Sequence, residues 1–294
     1  MTPPRLPSAL AALLAAALLA AAVAAPAGAA APKRIVALTP FTADTLAALN
    51  VKPVAIGATV GGGDRFSPKL KGVKRLPLSH PNGPNMEQLA LLNPQLVLSA
   101  PAWAKGEQVM RQLHMRVVDS DPTSVSDVAN ETRRIGALVG KAALAKRFAA
   151  AQAAHVKAAR KRITSHPKVL LILGVGSTPY AFLKSSWGGD VVTQAGGTLL
   201  TKGLTGSGGF ARISNEIVAQ RNPDVIIAVP HGNAADIPEI TRQLRNNPAW
   251  AGTNAVRNHR LYVSTDNSLL QAWTSPADTI HTVQAKYLRN ISGR

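Results

Sequence analysis

Residues 85–101 read NMEQLALLNPQLVLSAP and residues 214–230 read SNEIVAQRNPDVIIAVP. The stretches align without a gap, placing Glu87 on Glu216, Asn93-Pro94 on Asn222-Pro223 and Pro101 on Pro230. Each begins with a capping residue, Asn85 or Ser214, and continues through a short helical run to an Asn-Pro break and an apolar β-prone run. The break stops the helix because the residue before a proline avoids the α region. A helix–strand unit that occurs twice points to two similar α/β lobes.

Working outward from the first copy, RIVAL (34–38), helix-compatible TADTLAALN (42–50) and KPVAIG (52–57) precede it. A helix near 106–113, the strand RVVDS (116–120) and a helix near 125–139 follow. Residues 141–165 contain neither Pro nor Gly and are rich in Ala, Lys and Arg, which predicts one long helix with a basic exposed face. The pattern then restarts with a strand at 168–173 and a helix near 188–195. Around the second copy lie strand 224–229, helix 238–246, strand 260–264 and a last helix at about 276–290. The expected organisation is an N-terminal lobe (32–140), a linking helix (141–166) and a C-terminal lobe (167–294), with a ligand cleft between the lobes.

The first 31 residues are a separate object. Arg5 precedes an Ala/Leu run from Ala9 to Ala25, and Ala-x-Ala options end at Ala29 or Ala31, as in a cleaved export leader. The chain has no cysteine, which excludes thiol nucleophiles, zinc-thiolate sites, disulfides and a lipid-anchoring cysteine. The expected product is soluble, monomeric and periplasmic. The net charge of +18 attracts anionic small molecules or surfaces. Nucleic acid is not the expected partner, since the basic residues are scattered with few aromatics among them.

Ligands of open α/β sheets sit beyond the carboxyl ends of the strands. Thr39, Pro40, Phe41, Trp103, Tyr180, Phe182, His231, Asn267 and Trp273 follow predicted strands. Aromatic residues make up only 4% of the chain, so their concentration in these loops, with Trp187 and Phe210, marks each either as a cap on the core or as a ligand contact. His80 and His231 are the histidines placed to face the cleft. Enzyme motifs fail: GVGSTP (174–179) lacks the third glycine of a dinucleotide site, GALVGK (136–141) is short of a P-loop, and TGSGGF (205–210) lacks a nucleophile elbow. Glu87 and Glu216 fall in the first turns of their helices, where a carboxylate complements the helix dipole whatever else it does.

The run RIVALTPFTADTLAALN, the two repeated segments, the long central helix, GGDVVTQAGG (188–197) and NPAWAGTNAVRNHRLYVS (247–264) together resemble the periplasmic substrate-binding proteins for vitamin B12, haem and ferric siderophores. The resemblance spans the chain after its leader. It implies Rossmann-like lobes bridged by one rigid helix, no cofactor, and delivery of a metal chelate containing iron or cobalt to an inner-membrane ABC importer. It also implies that Glu87 and Glu216 pair with arginines of the permease dimer. Phe41, His80, Trp103, Tyr180, Phe210, Arg212, His231 and Trp273 are the candidate ligand contacts. Arg212 and Lys184 favour an anionic ferric siderophore over cobalamin or haem. No His/Asp/Glu cluster supports a bare metal ion, and the competing class is an exported α/β hydrolase, for which no nucleophile–base pair is found.

Overall fold

The first half builds a parallel sheet from β1 (Ile35–Ala37), β2 (Ala55–Gly57), β3 (Lys74–Leu76), β6 (Leu96–Ser99) and β7 (Val117–Asp119), in the order β3-β2-β1-β6-β7. A small hairpin of β4 (Leu78–Ser79) and β5 (Gly83–Pro84) follows β3. The second half pairs β8 (Lys168–Val175) with β9 (Thr178–Phe182), β10 (Thr198–Leu199) and β12 (Val225–His231), and adds β11 (Phe210–Arg212) and β13 (Leu261–Val263) at the edges. The computed structural model describes residues 30–58, 66–175, 178–232, 235–265, 267–289 and 291, so the leader read over 1–31 lies outside them apart from Ala30 and Ala31. Among the described residues no helix is long and apolar enough to cross a membrane.

The helices are α1 (Pro40–Ala48), α2 (Met86–Ala90), α3 (Ala104–Gln112), α4 (Asp127–Leu138), α5 (Ala142–Arg160), α6 (Trp187–Gln194), α7 (Asn215–Arg221), α8 (Ile237–Arg245), α9 (Asn254–Arg257) and α10 (Pro276–Val283). A π-helical turn over Gln284–Leu288 prolongs α10. β1 and β6 are buried along their whole length, as are β8 and β12 apart from their ends. Burial on both faces explains why these strands are unbroken apolar runs rather than alternating ones.

The repeated sequence is a repeated structure. Asn85 Oδ1 accepts from the Gln88 amide at 2.9 Å, and Ser214 Oγ accepts from the Ile217 amide at 3.3 Å, so each copy starts with a side-chain cap. Both copies end at an asparagine in the left-handed region, Asn93 at φ 43° and Asn222 at φ 44°. The left-handed residue turns the chain out of the helix, and the proline after it prevents resumption. β6 and β12 therefore start at the same offset from their helices.

The long helix is shorter than its composition predicts. It stops at Arg160 because β-branched Ile163 and Thr164 precede Ser-His-Pro, and Ile163 packs on Gly196, where a Cβ would lie 2.7 Å from Ile163 Cγ2. α5 packs on α4 from the first half and on α10 from the second. Gln284 Nε2 donates to the carbonyl of Ala159 at 3.2 Å. One apolar cluster runs through this region, taking Phe41 and Leu98 from the first half, Val156 and Ala159 from α5, and Val169 and Val191 from the second. Pro32–Arg294 is accordingly one compact unit.

α4 and α5 approach so closely at Gly136 that a Cβ there would lie 2.2 Å from Ala145 Cβ. Gly136→Ala is expected to destabilise the protein by about 1–3 kcal/mol through overpacking. Adding Ala145→Gly removes the opposing methyl and recovers part of the loss in a double-mutant cycle followed by urea unfolding.

Candidate functional site

At the carboxyl ends of the strands the two halves enclose a cavity of about 460 Å³. From the first half, Leu38, Thr39 and Pro40 follow β1, Ala58 follows β2, and Leu78 and His80 come from the hairpin beyond β3. Ala100, Ala102 and Trp103 follow β6, and Asp121 follows β7. The second half contributes Leu173 and Val175 of β8, Tyr180 of β9, Phe210 of β11, His231 at the end of β12, and Leu270 with Gln271 before α10. The surface is mostly apolar and aromatic. No Lys or Arg belongs to it among the described residues.

Local packing explains the positions of the aromatic groups. Trp103, 5% exposed, stands edge-on to the His80 ring at 6.2 Å between centroids. β9 and β11 pair antiparallel, which sets Phe210 opposite Phe182 with ring centroids 4.8 Å apart. Phe182 is fully buried beneath, and Phe210 closes over it at the cavity wall.

Four polar atoms of lining residues have no hydrogen-bond partner among the described residues although they are shut off from solvent: Trp103 Nε1, Asp121 Oδ1, His231 Nδ1 and Gln271 Oε1. Such atoms cost stability unless a partner arrives, and their gathering around one cavity marks it as a binding site. Burial lowers the pKa of His231, and the nearby charge of His80 lowers it further. Burial pushes the carboxyl of Asp121 up to about 7; contact with the Thr39 hydroxyl opposes this, while the charges of Glu131 and Asp119 reinforce it. Behind Asp121, burial and a hydrogen bond with Asp119 raise Glu107, against the opposing contacts of Ser99 and Arg111.

Of the expected ligand contacts, His80, Trp103, Tyr180, Phe210 and His231 come together in this cavity. Phe41 does not: it is fully buried in the core because α1 starts at Pro40 and turns the next side chain inward. Trp273 is buried against Phe66, ring centroids 5.6 Å apart, beside a separate hollow lined by Asp44 and Ser268. Trp187 is also interior, donating Nε1 to the Ser268 carbonyl at 2.8 Å. Arg212 and Lys184 are exposed and do not line the cavity. Glu87 and Glu216 are exposed in the first turns of α2 and α7, and neither lines it. Asp121 and Gln271 were not anticipated; Asp121 stands directly after the expected strand RVVDS (116–120), and the rule that strand ends carry ligands would have named it there.

The family model for periplasmic binding proteins matches residues 35–267. The chain belongs to the periplasmic binding protein family. The family is one of binding proteins rather than of enzymes. It is 27% identical over 192 residues to the high-affinity heme uptake system protein IsdE of Staphylococcus aureus, an alignment covering 63% of this chain and 64% of the relative. The chain thus spans slightly less than two thirds of the length of that curated relative. In three dimensions it resembles S. aureus IsdE complexed with heme (TM-score 0.74, 23% identity, 86% of this chain and 97% of the other). An ABC transporter substrate-binding protein from Listeria monocytogenes (TM-score 0.74, 22%, 87% and 99%) is equally similar. The vitamin B12 binding protein BtuF of Vibrio cholerae follows (TM-score 0.66, 17%, 87% and 97%). These likenesses show that this binding protein shares their two-lobed fold.

Placement separates the aromatics by role. Phe41→Ala is expected to lower the unfolding free energy of the unliganded binding protein by about 3–5 kcal/mol, as for other buried phenylalanines. Phe210→Ala, at the partly buried cavity wall, should lower it less in the same denaturant titration.

Proposed function

We propose that this binding protein captures haem outside the cytoplasm and delivers it to an ABC importer. The observation that carries the reading is the pair of imidazoles, His80 and His231, which come from opposite halves into an apolar, aromatic slot and lie near enough for one to depress the pKa of the other. Neutral imidazoles on either side of a flat ring are suited to the two axial positions of an iron porphyrin. Trp103, Tyr180 and Phe210 offer the flanking faces. The sequence relative named for heme uptake supports the same ligand. A hydroxamate chelate or a cobalamin arrives with its metal coordination filled and leaves the imidazoles nothing to bind. The preference for a siderophore rested on Arg212 and Lys184, and neither lines the cavity.

Haemin added to the purified protein should give a six-coordinate low-spin ferric spectrum. His80→Ala or His231→Ala should abolish that spectrum and weaken binding by at least about tenfold, equivalent to about 1.4 kcal/mol. A five-coordinate wild-type spectrum that changes on Tyr180→Phe would instead make Tyr180 the iron ligand and sink the paired-imidazole reading.

The delivery step assigns residues 1–31 to an unlipidated export leader, and residues 32–140 and 167–294 to two lobes joined through 141–166 in a monomer. Glu87 and Glu216 serve as docking carboxylates, one per lobe, for the two subunits of the permease. Their exposure and their equivalent places on repeated units support this role. The Ser214 hydroxyl and the helix backbone hold the Glu216 carboxyl below its usual pKa, so it stays ionised. Charge reversal at both sites should leave haemin affinity intact and abolish uptake into vesicles containing the importer. If the glutamates serve only the helix dipole, uptake by the double Arg variant stays normal and stability falls by about 0.3–1 kcal/mol per site.

A further inference from the structure

We propose that Asp121 is a specificity-determining residue: it holds a carboxylate at the inner end of the cavity, so that a tetrapyrrole is accepted only with a carboxylate-free edge turned inward. The inference rests on the haem reading above. Asp121 follows β7, and four residues later the Val125 amide donates to Asp190 Oδ2 at 2.8 Å across the junction of the two halves. Asp121 therefore lies on the side where the halves are joined. Its Oδ1 is closed off from solvent and has no hydrogen-bond partner among the described residues; it is the one carboxylate among the described lining residues, with no Lys or Arg among them to neutralise it.

A second carboxylate brought to this end would meet like charge in a low-dielectric wall, with no cation to screen it. Haem carries its two carboxylates on one edge and only apolar substituents on the other. It fits with the apolar edge inward and the carboxylates toward solvent. A porphyrin with carboxylates on all sides has no edge that Asp121 admits.

The charge is adjustable. Burial, Glu131 from α4 and Asp119 at the end of β7 all favour the neutral acid, and the Thr39 hydroxyl favours the anion. With a pKa near 7, Asp121 passes from mostly neutral at pH 6 to mostly ionised at pH 8, so exclusion strengthens as pH rises. Tyr180, His80 and His231 also face the cavity, but they meet the ring and iron of any ferric porphyrin alike and cancel in a ratio of affinities.

The test is competition between haemin and iron coproporphyrin, which has four carboxylates distributed around the ring, for the purified protein at pH 6 and pH 8. The wild type should prefer haemin by at least about tenfold at pH 8, roughly 1.4 kcal/mol, with a smaller preference at pH 6. Asp121→Asn should flatten the pH profile and remove most of the preference, and Asp121→Glu, which keeps the charge, should retain both. Circular dichroism establishes that the variants are folded. If Asp121→Asn does not fold, the wild-type profile and Asp121→Glu decide: a preference unchanged between pH 6 and 8 overturns the assignment. It is equally overturned if folded Asp121→Asn keeps the wild-type preference and profile. A wild type that binds neither porphyrin overturns the haem reading itself, whereas one that binds both equally well overturns only the role of Asp121.

Discussion

The buried hydrogen bond from the Val125 amide to Asp190 Oδ2 fixes how the two halves meet. Asp190 is 7% exposed, and its other oxygen accepts from Gln194 Nε2 at 3.1 Å, one turn along α6. A buried carboxylate held on two sides ties the loop after β7 to the start of α6. Asp121 lies on the loop that this contact holds, four residues before Val125. The apolar cluster continues past it, so the inner end of the cavity is a wall of packed side chains rather than a flexible seam.

The chemistry of the site follows from which strands reach it. Parallel strands buried on both faces have no room for polar side chains along their length, so the polar groups collect just beyond their carboxyl ends. His231 ends β12, Asp121 follows β7 and Thr39 follows β1. His80 reaches the same space from a hairpin, with Trp103 against its ring. A cavity assembled this way holds a few polar atoms in a largely apolar surface.

The fold was largely legible because its signals are local. Asn-Pro breaks, capping residues and unbroken apolar runs act over a few residues, and the two copies check one another. Tyr180 and Phe182 fall in a loop by sequence, whereas pairing with β8 and β11 makes Thr178–Phe182 a strand. The site was legible in part. Residues after strands could be named, but not the direction of their side chains: Phe41 and Trp273 fell inward, and Phe182 is covered by Phe210. α1 is buried on nearly every side, so periodicity carries no information about which of its faces meets a ligand. Asp121 acquires its character from burial and from Asp119 and Glu131, one of them ten residues away, which no spacing rule encodes.

The shared interior also bears on how the chain comes into being. Phe41 and Leu98 are covered partly by a cluster whose other members, Val169 and Val191 among them, are synthesised much later. The N-terminal half therefore emerges with one apolar cluster of its own, around Val36, Val97 and Met110, while the shared cluster waits for residues made later. Packing of the shared cluster, and with it the joining of the two halves, waits until most of the chain has been made.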